Sequence, residues 1–306
     1  MSRISPYPVE GRWFRGSTHA HTTRSDGERT PAELIQMHRD LGYDFFTITD
    51  HRIWGIHAEH NTKDFIMMQG TELDVRPQGQ EAKTHHIVGI GNPAVDTGWQ
   101  DGEEIVYDRS TPPGEIVQLL KSRGCYVIYA HPTWSQILPE ALEEITGYDG
   151  IEVLNYGCEV EGLSGRSDTH IQRLQWRGRT HHLIACDDTH QHQHDWGGGW
   201  IMVKAPELTH EAIFAALQKG AFYATEGPEI RDFYVEDGVA HLESSPCRTL
   251  ALYSDGFQCA GESRDDGQLT HFTYELPSKS QAVYAIIKDA RGRYAWSNPI
   301  RLDQKA

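Results

Sequence analysis

His19-Ala20-His21 places two imidazoles two residues apart. On a strand, residues i and i+2 face the same side, so both rings can reach one metal ion. Asp188-Thr189-His190 repeats that spacing with a carboxylate and an imidazole. Between the two pairs come further groups of the same chemistry: Asp26 before Gly27, Asp50-His51 after an apolar run, Glu72, His86 and His131. Each has a plainer reading alone. A half-exposed strand carries two histidines easily, Asp-Gly is a turn signal, and Asp50 suits a helix cap. Glu72 ends a run of Met and Ile, where a carboxylate needs a partner, and a salt bridge or a cap would serve. His86 reads as a satisfied core histidine, and His131, between Ala130 and Pro132, as a hydrogen-bonded turn. Together the plainer readings lose force, because all these residues fall at expected strand C-termini or in the loops just after.

Imidazole and carboxylate without thiolate suit Zn, Mn or Fe rather than copper or a Cys-based structural zinc. Nine such groups exceed what one tetrahedral ion uses, so a multinuclear centre of two or three divalent metal ions is expected. A carboxylate such as Glu72 can bridge two ions. Two ions about 3.5–4 Å apart can share a hydroxide, hold the attacked oxygen and steady the leaving group. Around this set, Asn155 follows the strand-like Ile151-Glu152-Val153-Leu154 and is a candidate to orient substrate. His192 and His194, before Gly197-Gly198-Gly199, are candidate substrate contacts or proton donors; a polar Gly-rich loop is the alternative. Arg166, Arg173, Arg177 and Arg179 lie between Asn155 and Asp188 and offer a phosphate clamp, with Arg166 taken as the catalytic candidate. Solvated arginines on a long helix are the bland reading.

The elements that must hold these groups alternate up to about residue 225. Thr30-Pro31-Ala32-Glu33 is a capping box with Pro at the first helical position, and Gly42 suits the helix end. Strand-like runs at 44–49, 65–68, 86–90, 126–129, 151–154, 182–185 and 200–204 are interleaved with helical stretches at 116–123 and 210–219. Strands alternating with helices imply parallel βα units, and polar groups past strand C-termini are where barrels build their sites. A barrel is the leading architecture. From Gly227-Pro228 the texture changes to strands only, with Glu236-Asp237-Gly238 and Arg291-Gly292 as hairpin turns. The expected division is a barrel over 1–226 and a small antiparallel β domain over 227–306.

Composition narrows the partners. A formal net charge of -16 repels phosphate backbones, so the expected partner is a small-molecule substrate and no nucleic acid. No apolar run approaches the roughly 18 residues of a membrane helix, so no membrane is expected either. The N-terminus lacks an apolar secretory segment, and five scattered cysteines without paired spacing favour a reduced, cytoplasmic protein. A homo-oligomer stays open. Histidines number 18 against 9 Phe, which matters only because of where they fall.

The ordered set His19-x-His21, Asp26, Thr49-Asp50-His51, Glu72, His86, Ala130-His131-Pro132 and Asp188-x-His190 resembles the polymerase and histidinol phosphatase (PHP) family of metallohydrolases, over roughly residues 13–225. The resemblance implies an α/β fold, a distorted (β/α)7 barrel with its metals at the strand C-termini. It further implies that His19, His21, Glu72 and Asp188 hold one metal, Glu72, His86 and His131 a second, and Asp26, His51 and His190 a third. The family often has His at the position of Asp26. The stretch 187–200 and the β tail also resemble a shorter subgroup, some of whose larger relatives hydrolyse aryl carbamates. The expected function is a metal-dependent phosphoesterase acting on a small phosphate ester. A carbamate or carboxylic ester hydrolase, and a metal-stabilised binding module, are the alternatives.

Overall fold

Period-two burial decides which side chains of each strand face the site. The computed structural model describes residues 3–8, 10–77, 79 and 84–302. It begins with β1 (Arg12–Ser17), α1 (Pro31–Asp40), β2 (Phe45–Thr47), β3 (Ile66–Met68), β4 (Gly70–Val75) and β5 (His85–Ile90). Then follow α2 (Pro113–Ser122), β6 (Tyr126–Tyr129), α3 (Pro139–Leu142), β7 (Gly150–Asn155), α4 (Tyr156–Gly162), α5 (Asp168–Trp176) and β8 (His182–Cys186). After β9 (Trp200–Ala205), α6 (His210–Lys219) and β10 (Phe222–Thr225), only strands remain among the described residues. These are β11 (Ile230–Glu236), β12 (Val239–Cys247), β13 (Thr249–Ser254), β14 (Phe257–Ser263), β15 (Leu269–Glu275), β16 (Ala282–Lys288), β17 (Tyr294–Ser297) and β18 (Ile300–Arg301). No helix of the described residues is long and apolar enough to cross a membrane.

Local chemistry accounts for the helix ends. The Thr30 side chain accepts the Glu33 N–H while Glu33 accepts the Thr30 N–H, and Gly42, just past α1, takes φ +78°. Such a cap is worth about 1 kcal/mol. The Thr209 side chain caps α6 by accepting the Ala212 N–H, and Gly220 ends it in the left-handed region.

The mixed α/β fold is built on two sheets that face each other. One has five strands in the order β4-β5-β6-β7-β8; the other has ten, running β14-β13-β16-β17-β10-β9-β1-β2-β3 with β18 beside β16. Phe14, Phe45, Ile66, Ile201 and Phe222 of the larger sheet meet Val88, Ile90, Tyr126, Ile128 and Ile184 of the smaller in one buried cluster. Helix α2 covers the other face of the smaller sheet through Ile116, Val117 and Leu120. A third sheet, β11-β12-β15, packs with the late strands around Phe233, Leu242, Leu252 and Ile287.

Two features depart from the expected distorted (β/α)7 barrel with its parallel βα units. No sheet is closed among the described residues, and β4/β5, β5/β6, β1/β9 and β9/β10 are antiparallel. Residues 76–84, between β4 and β5, are too few for the dozen-residue crossover that a parallel pair needs. Only Gln69 separates β3 from β4, so the chain bends from one sheet into the other there. The larger sheet also crosses residue 226, because β10 pairs with β17 over Tyr223–Thr225 and Ala295–Ser297.

Candidate metal centre

At one end of the strands, single backbone bonds link what the ladders leave open. His21 N–H donates to Thr189 O and Asp188 N–H to His19 O, Thr49 N–H donates to Ala20 O, and Arg52 N–H to Glu72 O. The segments 188–190, 19–21, 49–52 and 72 thus lie side by side, and their side chains converge. On β5, Val88 and Ile90 join the core between the sheets while Ile87 faces α2. The same alternation turns His86 inward and His85 outward, where it meets the Tyr129 hydroxyl. Asp188 enters the cluster, whereas its neighbour Asp187 accepts the N–H groups of Gly197, Gly198 and Gly199 and the Tyr43 hydroxyl. That explains the glycine run: a Cβ on Gly198 would lie 2.3 Å from the Tyr156 ring, and one on Gly199 2.6 Å from Cys186 O.

Glu72, fully buried, is the hub. Its Oε1 lies 2.8 Å from His86 Nδ1 and 3.3 Å from both His19 Nε2 and His131 Nε2. Its Oε2 lies 3.0 Å from His51 Nδ1 and 3.2 Å from His21 Nε2. Asp188 Oδ1 stands 3.1 Å from His19 Nε2 and 3.2 Å from His21 Nε2. Asp26 reaches His51 Nε2 at 3.4 Å and His190 Nε2 at 3.5 Å. Burial alone would push the Glu72 carboxyl up, but His86, His19 and His51 hold it well below the usual carboxylate range. Burial would likewise lower His51 and His190, yet Glu72 and Asp26 raise the former to about 10, and Asp26 and Asp188 the latter to about 9.

Outer partners aim the rings. His19 Nδ1 donates to Glu152 Oε1 at 2.7 Å, and His190 Nδ1 to Asp188 O at 3.0 Å. His131 Nδ1 meets Ser135 Oγ at 3.1 Å. With these nitrogens engaged, each Nε2 faces the cluster, the arrangement that metal-ligating histidines use. His131 and Asp188 take φ of 24° and 49°; left-handed backbone costs a non-glycine residue about 1–2 kcal/mol, and such strain collects at functional sites.

The donor set fits divalent cations. Glu72 Oε2, Asp188 Oδ1 and His51 Nδ1 are buried with no hydrogen bond, although facing groups stand near 3 Å away. Contact without hydrogen-bond geometry leaves lone pairs converging on shared points, which a cation would satisfy. Ligand atoms gather within 4.8 Å of one another in His19/His21/Asp188, His19/Glu72/His131, His51/Glu72/His86 and His21/Asp26/His51/His190. All nine candidates expected to bind metal therefore meet here. The grouping differs in detail: His51 also stands beside Glu72 and His86, and His21 also beside Asp26. A cavity of about 240 Å³ opens onto the cluster.

The other candidates divide. His192 lines the cavity and contacts Glu28 Oε1 at 3.1 Å. His194 does not; it is exposed and packs edge-on against Trp196. Asn155 is fully buried, and its Nδ2 donates to both Glu152 and Asp188 at 2.9 Å. It holds other side chains and is not among the described residues lining the cavity. Arg166 turns away from the cavity to Asp168 at the start of α5 and lies over the Tyr294 ring of β17, 3.9 Å from its centroid. Arg173 and Arg177 pair with Glu140 and Glu143, and Arg179 caps the carbonyls of Leu142, Glu143 and Ile145. The expected arginine clamp is thus not formed. Glu152 escaped the sequence reading, although a carboxylate amid Ile151, Val153 and Leu154 was its signal. Trp134 and Glu161, on the cavity wall, had none.

A mixed α/β fold with a buried imidazole–carboxylate cluster beyond its strand ends defines a candidate metal centre. No protein-family model and no curated protein matches the sequence. Among solved structures the chain is similar to a two-domain protein from Bacteroides vulgatus containing a predicted PHP-like metal-dependent phosphoesterase. The identity is 15% and the TM-score 0.50, over 100% of this chain and 91% of that one. A candidate metal-dependent phosphoesterase from Bifidobacterium adolescentis is 16% identical with a TM-score of 0.40, over 60% of this chain and 89% of its own. An amidohydrolase from Chromobacterium violaceum is 16% identical with a TM-score of 0.44, over 57% and 87%. At these identities the first likeness speaks for a shared fold, and the other two carry no weight.

Proposed function

We propose that this chain is a PHP-like metal-dependent hydrolase, acting on a small phosphate ester. The observation that carries the reading is the set of buried, unsatisfied ligand atoms on Glu72, Asp188 and His51, facing one another beside an open cavity. A structural role would not need ligand groups opening onto a cavity that admits a small molecule. Resemblance of the ordered ligand set to the PHP family, and the fold shared with the Bacteroides protein, support the same reading.

Bound cations would lower the pKa of water towards about 7 and neutralise charge developing on the attacked group. Glu72, His19, His21, His51, His86, His131, Asp26, Asp188 and His190 would hold them, with Glu72 shared. The remaining chemistry belongs to the chain. Glu152 and Asn155 fix the directions of His19 and Asp188. His192 stands on the cavity wall with Glu28 at its Nδ1, so its imidazole can hold a proton for a departing oxygen. A carbamate or carboxylic ester hydrolase is the second reading, favoured by one observation: no Lys or Arg is among the described residues lining the cavity. The proposed substrate is a small molecule, not nucleic acid or membrane, and five free cysteines suit the cytoplasm.

Elemental analysis of gently purified protein, with p-nitrophenyl phosphate hydrolysis after adding Mn, Zn or Fe(II), tests the proposal. Two or three metals per chain with turnover are expected. Bound metal with turnover of aryl carbamates or esters alone would move the assignment to the second reading, and no metal after reconstitution would end both.

A further inference from the structure

The cavity has two unlike sides. The cluster fills one. On the other, Trp134 follows His131 beyond β6, and Glu161 sits in the last turn of α4. The indole Nε1–H donates to Glu161 Oε2 at 3.0 Å. The ring stands edge-on to His131, with centroids 5.0 Å apart at 81°, and to His86 at 6.0 Å and 71°. Three contacts thus fix its direction, although at 36% exposure it is among the few large apolar side chains left open to solvent. The two connections that carry these residues are themselves tied together, since Thr133 Oγ1 donates to Arg166 O at 2.8 Å. Cys158 and Gly157 line the cavity between them and the cluster.

We infer that Trp134 and Glu161 form the subsite for the leaving group of the substrate, and that this group is planar and either uncharged or cationic. The inference rests on the hydrolase reading above and specifies which substrates that site accepts. A reacting group held at the cluster with its remainder directed past His86 and His131 would meet the indole, which stands edge-on to both rings. A fixed, half-open aromatic ring binds a flat apolar group or a cation at little ordering cost. Trp134 uses one oxygen of the Glu161 carboxylate, and an ionised carboxylate accepts at both. A leaving group with a hydrogen-bond donor or a positive charge is therefore favoured beside it. A carboxylated or phosphorylated leaving group would face Glu161 with no Lys or Arg among the described lining residues to offset the repulsion.

The test uses phenylphosphonate, its para-aminomethyl and para-carboxy forms, and methylphosphonate. None can be hydrolysed, so binding is read independently of turnover. Calorimetry on the full, zinc-supplemented chain is run beside kcat and KM for the matching aryl phosphates, with zinc content measured for every variant. The para-carboxy form is expected to bind at least about tenfold more weakly than the para-aminomethyl form, a gap of about 1.4 kcal/mol. Glu161→Gln should close most of that gap. Trp134→Ala should weaken the three aryl ligands and leave methylphosphonate unchanged, and Trp134→Phe should restore most of the loss. An unchanged ranking in Glu161→Gln, or equal weakening of aryl and methyl ligands in Trp134→Ala, would overturn the subsite. If the ranking holds while no aryl phosphate turns over, the subsite stands and the phosphoesterase reading falls. If no phosphonate binds the zinc-loaded protein, both fall.

Discussion

Glu72 and Asp26 sit in the same cluster under opposite conditions. Glu72 is buried and touches five imidazoles, whereas Asp26 is about half exposed at its side chain and meets three, those of His21, His51 and His190, at 3.4–3.5 Å. Glu72→Ala should therefore cost more than one metal per chain, and Asp26→Ala no more than one, by elemental analysis. Equal losses would contradict a shared Glu72. Glu152→Gln keeps the volume but replaces the carboxylate that orients His19 Nδ1, so metal affinity should fall about 10- to 100-fold, as loss of such outer partners does. A metal titration that matches wild type would show that Glu152 has no such part. The cluster itself was legible in the sequence because imidazoles and carboxylates at strand ends carry their chemistry in their identity. The choice of His86 came from the family resemblance alone; strand alternation, which puts His86 and not His85 in the cluster, is displayed by the structure. Asn155, Arg166 and His194 do not line the cavity, and where their side chains turn was not legible for a common reason. Each has a side chain long or polar enough to act in a cavity, and sequence spacing does not say which neighbour engages it first.

At the scale of elements, strands and capped helices were readable from apolar runs and turn residues, and α1 and α6 lie where their caps put them. The pairing of strands was not. Parallel or antiparallel neighbours depend on contacts distant in sequence, and a short connection such as 76–84 only excludes one option. The stretch 187–200 offered a polar Gly-rich loop as its alternative reading; its three glycines are wound round the buried Asp187 carboxylate. Asp187→Ala would leave three glycine N–H groups and the Tyr43 hydroxyl without their acceptor, at about 1–3 kcal/mol for each that water cannot reach. A fall in Tm of several degrees, with reduced metal affinity because Asp188 and His190 adjoin, is the expected outcome. Unchanged thermal unfolding would mean that the loop finds other acceptors.

For the molecule as a whole, pH acts through histidines far from the cluster. His181 stacks on Tyr148 with centroids 4.2 Å apart, and His182 contacts the Tyr126 hydroxyl at 2.8 Å. Burial lowers them to about 3 and about 4. Unfolded, both titrate near 6.5, so the unfolded chain binds more protons below that point. The stability they lend is present above about pH 6.5 and is lost as pH falls towards 4. Metal-free His181→Phe should lose less Tm between pH 7 and pH 5 than metal-free wild type; identical losses would remove His181 from the account. One further consequence follows from the ladder between β10 and β17. Cutting the chain at the compositional boundary after residue 226 would strip β10 of its partner and bare a row of backbone donors and acceptors along Tyr223–Thr225. Unpaired edges of that kind recruit other chains. The truncated protein should stick to itself and leave solution on standing, while the full-length chain keeps that margin covered.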